Sequence, residues 1–274
     1  MFNQLEILSD EQIEKLNTIR SYIKHLKNVC IAYSGGVDST LVASLAFEQL
    51  GDQAVAITGV SPSLAETLLK EARSQAKWIG VKHLEIKTSE LEKEGYSNNP
   101  KDRCFACKKE LHKHTTYLSK KLNYKNVLDG VNFDDLKDYR PGIKAAKNVG
   151  VISPLAELKF SKKDIRDISK ALGFPWWDKP AQPCLSSRFP YGHKITNKRL
   201  KMVEQAEEYI KKRGILEVRV RCQGSTARIE IPQDQIKIFF QKYDFNELVR
   251  YFSSIGFICT SLDLEGLISG KLNR

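Results

Sequence analysis

The chain lacks any run of about 18 apolar residues, which excludes a membrane-spanning helix. Its first residues, Met-Phe-Asn-Gln-Leu-Glu, are polar and partly acidic, and they offer neither the basic start nor the apolar stretch of a secretory signal. Six cysteines among 274 residues, without such a signal, read as reduced thiols, metal ligands or catalysts and not as a disulfide framework. A cytoplasmic protein is therefore expected. Neither an internal repeat nor a low-complexity tract interrupts the sequence. With 41% hydrophobic and 28% charged residues, a chain of this length builds one or two globular domains.

What is present begins at residue 31. The apolar run Ile31-Ala32-Tyr33 leads into Ser34-Gly35-Gly36-Val37-Asp38-Ser39 and then into a helical pattern. Gly35 and Gly36 allow a tight turn that brings backbone N–H groups close to phosphate oxygens. Ser34 and Ser39 add hydroxyl donors, and the following helix points its positive end at the anion. Asp38 would repel phosphate unless it holds a hard cation, which predicts Mg²⁺ bridging to the phosphates. The spacing is neither Gly-x-x-x-x-Gly-Lys nor Gly-x-Gly-x-x-Gly. It resembles the PP-loop of the ATP pyrophosphatase superfamily, whose members split ATP between the α and β phosphates and activate an oxygen as an adenylate. The net charge of +11 is spread over scattered lysines, with no arginine-rich, aromatic-interleaved stretch. It reads as a solvated basic surface attracting an anionic nucleotide, and nucleic acid is not expected as a partner.

Through the first two-thirds of the chain, strand-like and helix-like segments alternate. The patterns predict helices over 11–27, 38–50, 63–79 and 106–122, and strands over 29–33, 53–58, 82–86 and 126–130. Repeated βα units imply an α/β fold, a doubly wound parallel sheet with ligands at the carboxyl ends of its strands. Ser34 to Ser39 and Asp129-Gly130 both fall at such ends. After about residue 190 a helix over 196–213 precedes two period-two segments, Glu217 to Cys222 and Ala227 to Ile231, with a turn at Gly224-Ser225. The expected division is a nucleotide domain over 1–190 and a smaller α+β domain over 191–274.

Three thiols stand apart from the rest. Cys104 and Cys107 lie three residues apart where a polar loop enters a helix, a placement that lowers thiol pKa values. The pair alone is compatible with a redox couple, half a zinc site, iron–sulfur ligands or coincidence, and zinc lacks a second Cys-x-x-Cys or a His pair. Cys184 lies in the proline-rich segment Pro180 to Gly192, where Arg188, Ser186 and Ser187 could place a thiolate beside a bound anion. Cys30, Cys222 and Cys259 sit in apolar or strand-like surroundings and are expected to be buried or half-buried.

Four stretches together are similar to the LarE family: the loop at 34–39, Leu128 to Asp135 leading to Asp138-Tyr139-Arg140-Pro141-Gly142, Ser153-Pro154-Leu155, and Cys184 to Gly192. That family comprises ATP-dependent sulfur transferases serving the nickel-pincer nucleotide cofactor of lactate racemase, and the resemblance covers nearly the whole chain. It implies ATP and Mg²⁺ at Ser34, Gly35, Gly36, Asp38, Ser39, Asp129, Gly130 and Arg140, with Cys184 as the sulfur-bearing thiol. Arg188, Arg219, Arg221 and Glu230 are implied on the side of a phosphorylated pyridinium mononucleotide. Alternate arginines on a strand point to one face and could grip one phosphate, although they also make an ordinary solvated face. A homo-oligomer is implied too.

Members of the family that spend their own cysteine, leaving dehydroalanine, need only one active-site thiol. The trio Cys104, Cys107 and Cys184 resembles instead the relatives and tRNA-thiolating enzymes that hold a [4Fe–4S] cluster on three cysteines, as soft thiolates favour. Convergence of residue 184 on residues 104–107 is not contained in the spacing, so the sacrificial route stays open. A tRNA thiolase would need an RNA-binding extension that the small C-terminal domain does not offer. A GMP or NAD synthetase would share the loop but have no use for Cys184.

Overall fold

A computed structural model of the protein describes residues 6–137, 141–268 and 270–271. In chain order its elements begin with α1 (Asp10–Leu26), β1 (Val29–Ala32), α2 (Val37–Leu50), β2 (Ala54–Val60), α3 (Glu66–Ile79), β3 (Lys82–Lys87), α4 (Glu94–Ser97) and α5 (Arg103–Lys121). They continue with β4 (Asn126–Leu128), α6 (Pro141–Lys147), α7 (Pro154–Glu157), α8 (Lys162–Ala171), α9 (Asn197–Lys211), β5 (Arg219–Gln223), β6 (Thr226–Glu230), α10 (Ile236–Lys242), α11 (Phe245–Ser254) and β7 (Cys259–Leu262). The chain packs as two units, one reaching to Glu90 and resuming over Asp102–Gln182, the other made of Leu91–Lys101 and everything from Pro183 onward.

The first unit is a parallel sheet in the order β3-β2-β1-β4. Every residue of Val29–Ala32 is buried, because a central parallel strand is covered on both faces. On one face α1, α2, α3 and α8 contribute Leu16, Ile19, Ile23, Leu41, Leu45, Ala72, Ala76, Ile165 and Ile168 to the main core. On the other, Leu118 and Ala146 of α5 and α6 pack with Cys30, Val55, Ile57 and Val127. Each fully buried aliphatic side chain contributes roughly 1.5–3 kcal/mol, so the two layers hold the sheet rigidly between them. Helix α3 starts at Glu66, three residues after the expected start, and buries Leu69, Ala72, Ala76 and Ile79.

Strand order reverses beside β1: β2 and β3 lie to one side, and β4 returns to the other. A crevice opens at such a switch point beyond the carboxyl ends of the strands. The residues that follow β1 and β4 are Tyr33 to Gly36 and Asp129-Gly130.

The second unit contains the expected antiparallel hairpin, Arg219 facing Glu230 and Arg221 facing Arg228. Beyond it β7 adds in parallel to β6, making a three-stranded sheet in the order β5-β6-β7. The residues of β7 alternate exposed and half-buried, which corrects one expectation: Cys259 is exposed, whereas Cys30 and Cys222 are buried. Among the described residues no helix is long and apolar enough to cross a membrane.

Candidate active site

In the first unit the loop after β1 closes on itself. Gly35 has φ +70°, a conformation glycine adopts without strain. An added Cβ there would come within 3.0 Å of Ala72 Cβ and 3.2 Å of Gln75 Oε1 on α3, so the loop lies flat on that helix. Ser39 Oγ donates to Gly36 O (3.1 Å), accepts from Ser34 N (3.2 Å) and lies 3.1 Å from Ser34 Oγ. Both serines thereby shape the loop. Gln75 Oε1 accepts from Tyr33 Oη and Thr40 Oγ1, bracing the loop from below. The first turn of α2 starts at Val37 behind Gly36, which has no side chain to cap it, so the positive end of the helix stays available to an anion.

Asp129 and Gly130 follow β4 and lie against that turn. Gly130 abuts the backbone of Ser39 and Asp38, and Asp129 is buried with Oδ1 accepting from Val131 N at 3.1 Å. Burial pushes the Asp129 carboxyl above its usual range, against the Lys108 charge and the hydrogen bonds from Ser153 and Val131. Asp38 projects from the first turn of α2 and is half-buried. Its Oδ1 and Oδ2 accept from Lys162 Nζ at 2.7 and 2.5 Å, and Asn132 Nδ2 lies 3.5 Å from Oδ1. Lys179 Nζ reaches Gly35 O at 3.4 Å and also pairs with Glu71. A carboxylate flanked by hydroxyls, facing a helix amino terminus, is a donor set of hard oxygens that suits Mg²⁺ carrying a polyphosphate. Arg140 lies outside the described residues, as do Asp138 and Tyr139.

Cys104 and Cys107 occupy the first turns of α5 in this unit, Cys104 exposed and Cys107 half-buried. Lys108 follows them, with its Cγ 2.7 Å from where a Cβ on Gly142 would stand, so α6 begins tightly against this stretch of α5.

In the second unit Cys184 is half-buried and caps the short 3₁₀ turn Leu185–Arg188. The strap 91–101 holds this turn: Tyr96 Oη donates to Ser186 Oγ (2.7 Å), and Asn99 Nδ2 donates to the carbonyls of Phe189 and Pro190. Arg188 Nη1 donates to Pro183 O, Cys184 O and Ser187 Oγ. Its Nε and Nη2 form a two-pronged pair with Glu207 at 2.8 and 3.0 Å, and Glu207 also accepts from Val220 N. Burial alone would lower the Arg188 pKa, but the Glu207 charge and hydrogen bonds outweigh it and raise the value. Arg221 donates from Nε and Nη2 to Glu230 Oε2 (2.9 and 2.7 Å) and from Nη1 to Ser187 O (2.7 Å). Arg228 takes the other oxygen of Glu230 at 3.1 Å. Arg219, half-buried beside these cations, has no carboxylate partner among the described residues. Burial, then the charges of Arg188 and Arg221, push its pKa down.

Spacing alone did not reveal Lys162, Asn132, Lys179 or Glu207. The only local signal was the cap Ser161-x-x-Asp164, which announces α8 but not where Lys162 points. Among the described residues no group of three His, Cys, Asp or Glu side chains is arranged to hold a metal ion. Cys104 and Cys107 belong to the first unit and Cys184 to the second.

The sequence pattern of the family described as NAD synthase matches residues 12–116, the span of the phosphate loop and the strands around it. An uncharacterized protein of Synechocystis sp. is 54% identical over 95% of this chain and 97% of its own. The pyridinium-3,5-bisthiocarboxylic acid mononucleotide synthase of Lactiplantibacillus plantarum is 36% identical over 94% of both chains. An uncharacterized protein of Methanocaldococcus jannaschii is 34% identical over 92% of this chain and 96% of its own. Carrying a phosphate loop at the switch point and sharing more than a third of its residues with that synthase along almost all of both chains, the protein belongs to the LarE family.

Proposed function

We propose that the chain adenylylates a carboxylate of pyridinium-3,5-biscarboxylic acid mononucleotide, releasing pyrophosphate, and then replaces oxygen by sulfur to give the thiocarboxylate, releasing AMP, in two rounds. The observation that carries this reading is the Ser34–Ser39 loop with its carboxylate at the switch point, in a chain related end to end to a synthase named for the bisthiocarboxylic product. Ser34, Gly35, Gly36 and Ser39 receive the phosphates, Asp38 holds Mg²⁺, and Asp129, Gly130 and Arg140 complete the nucleotide side. Residues 191–274 serve the phosphorylated substrate. Arg219 is the cation left for its phosphate, while Arg188, Arg221 and Glu230 keep the Cys184 turn in place. A homo-oligomer in the cytoplasm belongs to the same reading.

Cys184 acts in the sulfur step. As soft donors, Cys104, Cys107 and Cys184 suit a [4Fe–4S] cluster, which when bound would supply a sulfide on an iron free of protein ligands. A second reading is that Cys184 gives up its own Sγ and becomes dehydroalanine.

One set of preparations tests both. Pyrophosphate release from ATP is measured with and without the biscarboxylic mononucleotide, and the product is weighed for exchange of oxygen by sulfur. No substrate-dependent release would end the proposal. Iron and acid-labile sulfide are then counted per chain after anaerobic reconstitution of the wild type and of Cys104→Ala, Cys107→Ala and Cys184→Ala. A cluster lost in every variant selects the catalytic route; no cluster, with Cys184 converted to dehydroalanine after turnover, selects the sacrificial one.

A further inference from the structure

Lys162 is the first residue of α8, and the start of that helix is fixed independently of its side chain. The Lys162 backbone N–H donates to Asp134 Oδ2 at 2.8 Å. Ser161 and Asp164 cap each other's backbone around it, and Lys15 holds Asp164 at 3.0 Å. From this anchored position the side chain reaches Asp38, whose two oxygens lie 2.7 and 2.5 Å from the ammonium. One cation thus covers both oxygens of the carboxylate that faces the phosphate loop.

A divalent cation coordinated by Asp38 must take at least one of those oxygens. It would then stand within a few ångströms of a like charge, and such repulsion is strong where solvent is partly excluded. The conflict disappears when a polyphosphate arrives with the metal, since its negative charge satisfies both cations. The ammonium is free to move: the Lys162 side chain is 38% exposed, against 22% for Asp38, and its stem is a flexible four-carbon chain.

We propose that Lys162 is an exchangeable counter-ion. It neutralises Asp38 in the nucleotide-free protein, yields that carboxylate when metal and triphosphate arrive together, and moves onto the phosphate oxygens as a substrate contact. The inference rests on the reading of this loop as a Mg²⁺–ATP site. It makes metal and nucleotide bind as one unit, because metal alone meets a resident cation.

The test uses Mn²⁺ as a paramagnetic stand-in for Mg²⁺, titrated into the full chain with and without α,β-methylene ATP, an analogue that cannot be split at the α–β linkage. Without nucleotide, Lys162→Met binds Mn²⁺ at least tenfold more tightly than the wild type. The gain is absent in Lys162→Arg, which keeps the charge, and is cancelled by adding Asp38→Asn, which places the metal. In the presence of Mn²⁺, Lys162→Met binds the analogue at least tenfold more weakly. Unchanged nucleotide-free Mn²⁺ affinity in a Lys162→Met protein with wild-type circular dichroism overturns the proposal, as does unchanged analogue affinity. Wild-type protein that fails to bind the analogue at all overturns instead the nucleotide reading beneath it.

Discussion

Gly130 and Ser39 are in backbone contact: a Cβ on Gly130 would stand 2.6 Å from Ser39 N and 2.8 Å from Ser39 Cα. The end of β4 therefore serves as a floor for the first turn of α2, the turn proposed above to present its amides to the phosphates. Gly130→Ala must push that floor and the loop apart. Overpacking of this kind costs about 1–3 kcal/mol. Denaturant titration should show that loss, and pyrophosphate release should fall by more than tenfold; a variant with wild-type values in both would mean that the loop does not depend on β4.

Asp38→Ala removes a half-buried carboxylate that serves no core contact. Its partner Lys162 keeps solvent access, so stability should change by less than about 1 kcal/mol, as for an exposed pair. Pyrophosphate release, by contrast, should drop to background. Persisting release would deny Asp38 a role in holding the metal.

Arg219 and Arg221 share one strand face but differ in their surroundings. Arg221 is 2% exposed and spends its guanidinium on Glu230 and Ser187 O, so Arg221→Ala leaves Glu230 buried and underpaired. Breaking a buried pair costs roughly 3–5 kcal/mol, and the thermal midpoint should fall accordingly. Arg219→Ala should leave the midpoint within a few degrees of wild type while weakening the phosphorylated substrate at least tenfold, without affecting ATP. Equal destabilisation by the two substitutions would remove the distinction.

His112 on α5 is fully buried, and neither ring nitrogen has a hydrogen-bond partner among the described residues. Burial, then the charge of Lys108, drives its pKa from 6.5 down to about 3. The folded protein holds His112 neutral while the unfolded chain protonates it below about pH 6.5. Unfolding therefore takes up a proton across this window, and stability falls as pH drops from about 6.5 towards 3, by at most roughly 1.4 kcal/mol per pH unit. His112→Leu should flatten that part of the stability–pH curve and raise stability at pH 5. An unaltered curve would show that His112 is not the group responsible.

Burial raises the folded pKa of Asp129, so its sign is opposite. The penalty for ionising it is absent below the unfolded value of 3.8 and grows as pH rises through the folded value. Asp129→Asn should therefore gain stability at pH 7 relative to pH 4, read from thermal midpoints at the two values. A midpoint difference identical to that of wild type would contradict a buried, ionised Asp129.

Much of the first unit was legible in the sequence because its information is local. A strand buried on both faces must be apolar throughout, as Val29–Ala32 is, and a loop turning through φ +70° calls for glycine, as at Gly35. Alternation at period two marked β5 and β6 for the same reason. What the sequence could not contain was the pairing of groups far apart along it. Lys162 meets Asp38 across 124 residues, and Gly130 sits under Ser39. Glu207 claims Arg188, and Glu230 removes Arg221 from the pair of arginines that spacing alone would offer to a phosphate. Cys259 is exposed because it stands on the outward face of β7, whose residues alternate exposed and half-buried, a matter of what covers the strand and not of its own residues. Backbone conformation is decided by neighbours within a few residues, whereas the partner of a charged side chain is decided by which distant segments the core brings to the same place.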